Sequence, residues 1–131
     1  MASSPSSATS RDALPCFTAA ELAGHIGGSD GGDAEKRILI SVFGDIFDVT
    51  SGRDFYGAGK GYSVFAGKEV TRCLGKMIIG DAEANCGWAN LTLEHVNIAK
   101  DWHAKYVTKY PIVGRFQPDE HFEIRGAAFE P

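Results

Sequence analysis

No run of about 18 apolar residues occurs in this sequence, so nothing in it reads as a membrane-spanning helix. Its start also lacks the apolar core of a secretory signal. Basic residues are not in excess: 13 Lys and Arg stand against 17 Asp and Glu, a formal charge of −4. Binding a phosphate backbone needs a basic excess, so nucleic acid is excluded as the main partner. Cysteine is scarce. Cys16, Cys73 and Cys86 form no Cys-x-x-Cys, which excludes a zinc or thioredoxin motif, and they read as reduced thiols of a cytosolic protein. No two histidines among His25, His95, His103 and His121 have the i, i+4 spacing of a helical metal site, so each reads as solvated or core-edge. No Ser/His/Asp or Cys/His arrangement is present to activate a nucleophile, and the chain is not read as an enzyme.

What is present suits one domain of 131 residues with an ordinary globular composition, 44% hydrophobic and 23% charged. Residues 1–16 are dominated by Ser, Ala, Thr and Pro and read as a disordered tail. Thr18 and Glu21 make a capping-box pair with Phe17 and Leu22 placed as a hydrophobic staple, which predicts order from Phe17 and a helix from Ala19 to about His25. Gly27 to Asp33 is loop by composition. The β-rich runs Ile38–Phe43 and Ile46–Thr50 around Gly44-Asp45 predict a hairpin with a two-residue turn. Val70, Cys73, Leu74 and Met77 repeat at helical spacing. Thr92 then caps a longer helix with Leu93, Val96, Ala99, Trp102 or His103, and Tyr106 on one side, stopped by Pro111. Asn90-Leu91-Thr92 is read as that helix start rather than as a glycosylation site. A last strand follows over 109–116, with the proline at an edge or at a strand start. Strands and short helices without regular alternation make the class α+β.

The stretch Phe55 to Gly67 combines Tyr56 and Tyr62, accompanied by Phe55 and Phe65, with glycines at 57, 59, 61 and 67. Aromatics cover the faces of a flat ligand, and glycines let backbone approach it. A phosphate loop is excluded, because the Walker pattern needs Ser or Thr directly after the lysine and Gly61 follows Lys60. All four tyrosines (Tyr56, Tyr62, Tyr106, Tyr110) lie in this loop or at the end of the last helix and the strand after it. Each either caps a small core with its hydroxyl reaching water or serves the ligand, and tyrosinate is an established axial ligand of heme iron.

Ile46 to Gly57, then Tyr62, Phe65-Ala66-Gly67, Thr71-Arg72 and Lys109 to Arg115 together resemble the cytochrome b5-like heme/steroid-binding domain of the membrane-associated progesterone receptor (MAPR) family. Phe17-Thr18 with Glu21-Leu22, and Leu91-Thr92 with Asp101-Trp102, fit the same pattern. The resemblance covers about residues 17–116 and leaves 117–131 as a C-terminal extension. It implies a cytochrome b5-like fold, a small mixed β-sheet with short helices forming a heme pocket. It further implies heme b as cofactor, ferric and held by a single axial tyrosine, which by position is Tyr62. Tyr56 and Tyr110 would then hydrogen-bond or pack at the heme, and Lys109 would meet a propionate. The His-Pro-Gly-Gly motif of the electron-carrying cytochromes b5 is absent, so b5-type electron transfer is the less favoured reading. A module for a sterol or small apolar ligand, or for protein interaction, is the alternative.

By the same resemblance the function is non-catalytic (heme carriage, sensing or regulation), with heme-thiolate monooxygenases as partners and a homodimer through exposed heme faces compatible with it. The family's loop usually has prolines at the positions of Ala58 and Gly61, so this loop is expected to be more mobile. Most members carry an N-terminal membrane helix where this sequence has a polar segment. The expectation is accordingly a soluble cytoplasmic protein, with peripheral membrane association left open.

Overall fold

The computed structural model describes residues 14–27, 37–57 and 59–131. The tail reading over 1–13, the loop reading over 28–33 and Ala58 lie outside the described residues. Four strands form one mixed sheet in the order β1-β4-β3-β2: β1 (Cys16–Thr18), β2 (Leu39–Val42), β3 (Asp45–Asp48) and β4 (Ile112–Gln117). Strand β4 pairs parallel with β1 and antiparallel with β3, which pairs antiparallel with β2. The expectation of an α+β chain with a small mixed sheet therefore holds. Residues 14–16, read as part of the tail, join the sheet: Cys16 pairs with Arg115, and the Pro15 carbonyl accepts the Arg115 N–H at 2.9 Å. A three-residue strand carries too little periodicity to be read from sequence; its hydrogen bonds to β4 create it.

The first helix, α1 (Ala19–Leu22), carries the predicted capping box but stops three residues earlier than expected. Leu22 is fully buried and Phe17 packs on its cluster, as the staple requires. The hairpin turn sits one residue earlier than its sequence suggests. Val42 pairs with Asp45, so Phe43 and Gly44 make the turn, with φ of 51° and 79°. Two positive φ values match the right-handed twist of the strands, and glycine at the second is the usual solution. Phe43 tolerates its positive φ because tertiary contacts hold it: its N–H donates to Thr71 Oγ1 at 2.7 Å, and its ring meets Trp88 and His103 edge-on.

Strand β2 is buried along its whole length, because both faces of the sheet are covered. Ile38, Ile40, Val42, Phe47 and Val49 face one cluster with Phe65, Val70, Cys73 and Tyr106. Leu39, Ile46 and Phe116 face the other with Leu22 and Phe122. The first cluster is closed by α2 (Arg53–Tyr56), α3 (Thr71–Gly75) and α4 (Leu93–Lys109). Thr92 caps α4 as expected, accepting the His95 N–H at 3.1 Å, and Pro111 follows its end to start β4. Ala99 and Tyr106 are buried on the predicted face, but Leu93 is 75% exposed. The stretch beyond residue 116 folds back on the body as α5 (Phe122–Ala127), with Phe122 in the second cluster.

Arg72 on α3 is fully buried and its guanidinium gathers four segments. It donates to Glu83 Oε1 at 2.8 Å, to the Gly87 carbonyl at 3.1 Å, to the Glu130 carbonyl at 2.8 Å and to the Asn90 side chain. Asn90 in turn donates to the Phe129 carbonyl at 2.9 Å, so the sequon asparagine is spent on the interior. Burial pushes the Glu83 carboxyl up, but Lys76 and Arg72 more than reverse this and hold it below the usual carboxylate range. Arg72→Leu should cost about 3–5 kcal/mol, measured from the urea midpoint, because it breaks the buried ion pair with Glu83 and takes the donor from the Gly87 carbonyl and the Asn90 side chain, while Lys76 still reaches Glu83 and Glu130. The depressed Glu83 pKa adds stability above the unfolded value of about 4.3 that is lost as pH falls through the folded value. The stability advantage of wild type over Glu83→Gln should therefore shrink on acidification below about pH 4.

Candidate functional site

Helix α2 ends at Gly57, and the chain turns back along a set of main-chain bonds. Lys60 N–H donates to the Gly57 carbonyl at 3.0 Å, Tyr62 N–H to Phe55 at 3.0 Å, and Phe65 N–H to Tyr62 at 3.0 Å. Gly59, with φ 79°, makes the reversal possible. Tyr62 is thereby returned over Tyr56, their ring centroids 6.1 Å apart, and stacks on Phe65 at 6.0 Å and 14°.

These side chains line a cavity of about 380 Å³ between the glycine loop, α3, the segment after it and the end of α4. Tyr56, Tyr62, Lys109 and Tyr110, the four site candidates, all lie on it. The remaining wall is apolar: Phe55 and Phe65 from the loop, Cys73 and Leu74 from α3, Met77 to Ile79 beyond it, and Trp102 from α4. Among the described residues Lys109 is the one charged group of the lining, its Nζ 5.5 Å from the ring centroids of both Phe55 and Tyr110. A positive charge at the edge of an aromatic, apolar slot suits a flat apolar molecule with an anionic end. None of the four histidines lines the cavity. His103 Nε2 instead meets Asp45 Oδ2 at 2.8 Å, outside it.

The tyrosines differ in what they have left to offer. Tyr56 is buried, and its hydroxyl lies 2.6 Å from that of Tyr106 behind the cavity wall. Burial raises the pKa of both phenols, that of Tyr106 more strongly, so neither readily becomes a phenolate. The Tyr110 ring packs edge-on to Tyr106, with its hydroxyl against Gly52, where a Cβ would come within 2.6 Å of it. Tyr62 is 38% exposed. Cys73 is fully buried, and desolvation with the Glu83 and Glu69 charges pushes its thiol up to about 12, so it enters the wall as a neutral apolar group.

Sequence reasoning does not find the wall contributed by Met77, Ile78 and Ile79. Spacing puts Met77 on the core face of a helix, yet α3 ends at Gly75 and Met77 takes φ 56° with 72% of its surface exposed. Three apolar residues in a row before Gly80-Asp81 are the available signal, since no helix face holds three consecutive positions. Spacing likewise assigns Tyr106 only to a helix side. Its bond to Tyr56 joins residues 50 apart and no local pattern contains it.

The model of the family described as "Cytochrome b5-like Heme/Steroid binding domain" matches residues 18–117, and the chain belongs to this family. It is 41% identical over 99 residues to "Probable steroid-binding protein 3" of Arabidopsis thaliana, covering 76% of this chain and 95% of that one. It is 34% identical over 89 residues to human "Membrane-associated progesterone receptor component 2", covering 64% of this chain and 39% of that one. The chain spans 38% of the length of "Membrane steroid-binding protein 2" of Arabidopsis thaliana, to which it is 38% identical over 88 residues. A solved Arabidopsis thaliana protein described as having a cytochrome b5 like fold superposes with a TM-score of 0.68 at 41% identity, over 79% of this chain and 91% of that one. Among the described residues no helix is long and apolar enough to cross a membrane.

The buried phenol pair yields a stability prediction. Tyr106→Phe leaves the Tyr56 hydroxyl without its partner and should cost about 1–3 kcal/mol, whereas Tyr56→Phe with Tyr106→Phe should restore most of the loss. Urea denaturation of the two single variants and the double variant measures the coupling. In an alkaline absorbance titration Tyr56 and Tyr106 should ionise above the ordinary phenol value of about 10.

Proposed function

We propose that the protein binds heme b in this cavity, without catalysing a reaction, and that Tyr62 is the single axial ligand to ferric iron. The observation that carries this reading is the contrast between the two loop tyrosines. The Tyr56 hydroxyl is buried and committed to Tyr106, whereas Tyr62 lines the cavity and is partly exposed. Heme would supply a hard ferric centre that stabilises the phenolate form of its ligand. Tyr62 would hold the iron, its ring braced by Phe65. Tyr56 and Tyr110 would form the wall, and Lys109 would receive a propionate. An anionic oxygen donor from Tyr62 would favour the ferric state and would place the reduction potential below that of histidine-ligated carriers.

A second reading is favoured by a different observation. Apart from Lys109, the phenol groups, the Trp102 indole N–H and the Cys73 thiol, the described lining is apolar, which would equally suit a sterol. Several of the relatives are themselves named as steroid-binding.

Hemin titration followed by absorbance tests the assignment. Wild type should give a Soret band, Tyr56→Phe should keep its shape, and Tyr62→Phe should shift it with at least a tenfold weaker affinity, about 1.4 kcal/mol. A Tyr62→Phe protein with the wild-type spectrum and affinity would falsify the ligand assignment. Protein that stays colourless with hemin yet binds a fluorescent sterol would favour the second reading. A Cβ added at Gly61 would meet nothing within 4 Å, and the backbone there has no positive φ. Gly61→Ala should therefore stiffen the free loop and tighten binding by about 0.4–1 kcal/mol, read in the same titration.

A further inference from the structure

We propose that the C-terminal segment Asp119–Glu130 is a brace that holds the α3 wall of the ligand cavity in place, acting through Arg72 and Lys76. The inference rests on the reading of the cavity as a ligand site, but the brace itself is defined without any ligand. It lies beyond the family match, which ends at residue 117.

Arg72 and Lys76 are one helical turn apart and share a face, and both donate to the Glu130 carbonyl, at 2.8 and 2.7 Å. Both also reach Glu83, at 2.8 and 2.9 Å. Between and beyond them in sequence stand Cys73, Leu74 and Met77 to Ile79, the whole of the cavity wall on this side. The two cations thus grip the back of the segment whose other face the ligand would touch. The Phe129 ring lies 5.7 Å from the Arg72 guanidinium carbon, adding a cation–π contact to the same joint.

The segment is seated by a backbone seam. A Cβ at Gly126 would lie 2.0 Å from the Gly87 carbonyl oxygen, and one at Gly87 would lie 2.2 Å from the Glu123 carboxylate. Gly87 is also an Arg72 acceptor, so the residue against which α5 seats is the one that helps hold the buried guanidinium. Arg125 adds bonds to the Asn85 carbonyl at 2.9 Å and to Asp119 at 3.1 Å. If the segment leaves, the buried Arg72 loses an acceptor. The low-cost response is a shift of α3, which moves Cys73 and Leu74 with it.

Gly126→Ala tests this without touching the cavity. Alanine favours the helix itself, so its penalty falls on the seam. Deletion of Phe129–Pro131 is the second variant and removes the Glu130 acceptor outright. Both are made in a Cys16→Ser, Cys86→Ala background, so that Cys73 alone reacts with a small aromatic disulfide whose released thiolate is read by absorbance. Cooperative unfolding confirms that each variant folds, and hydrogen exchange reports release of residues 119–128. With the segment released, Cys73 should react at least about fivefold faster, and hemin should bind at least about fivefold more weakly with an unchanged Soret shape. A released segment with a wild-type Cys73 rate, or a faster Cys73 with unchanged hemin affinity, overturns the brace. Should the unsubstituted protein bind no hemin at all, the heme reading falls while the Cys73 rate still decides the brace.

Discussion

The buried guanidinium of Arg72 is the constraint on which the far side of this fold depends. A cation removed from water is tolerable only where every donor finds an acceptor. Here the acceptors come from the Glu83 turn, from Gly87, from Asn90 ahead of α4 and from Glu130 near the chain end. These segments have little regular structure of their own, and one shared charge fixes their positions. Glu69 makes a smaller counterpart at the hairpin. It is buried, its carboxyl raised by desolvation, and it accepts from Ser41, the Gly44 N–H and the Thr71 N–H at 2.8–2.9 Å. That joins the β2–β3 turn to the start of α3, and α3 carries the cavity wall.

The cavity is assembled from pieces that differ in how much water they have lost. Tyr56 and Tyr106 are deep enough that their phenols stay neutral and bond to each other. Cys73 is likewise held as a neutral thiol. Tyr62 and Lys109 line the same cavity but stay exposed to water. A neutral interior with polar groups at its rim is the arrangement that ligand sites generally have.

Much of this is legible locally. The Thr18–Glu21 capping box, the Thr92 cap, the Pro111 stop and the hairpin are written in residues within a few positions of each other, and each appears. The hairpin turn lies one residue from its expected place because Phe43 is held in its positive φ by Thr71, Trp88 and His103, all distant in sequence. Met77 departs from its expected face because helical spacing continues past Gly75, whereas the helix does not. Strand β1 escapes a sequence reading because three residues cannot show a period.

The sequence by itself determined the α+β class and the glycine loop that carries Tyr56 and Tyr62, which rest on residue types at short spacings, and its separated blocks carried the resemblance to the family. Only the tertiary structure decided that the Tyr56 hydroxyl is spent on Tyr106 while Tyr62 stays part-exposed. That outcome follows from a hydrogen bond between positions 56 and 106 and from the unequal burial of neighbouring side chains. It likewise decided that residues after 117 reach α3, through a charge at position 72 that must find its partners wherever the chain brings them. Spacing encodes local geometry, but desolvation is a property of the assembled molecule, and it sets which groups are left to act.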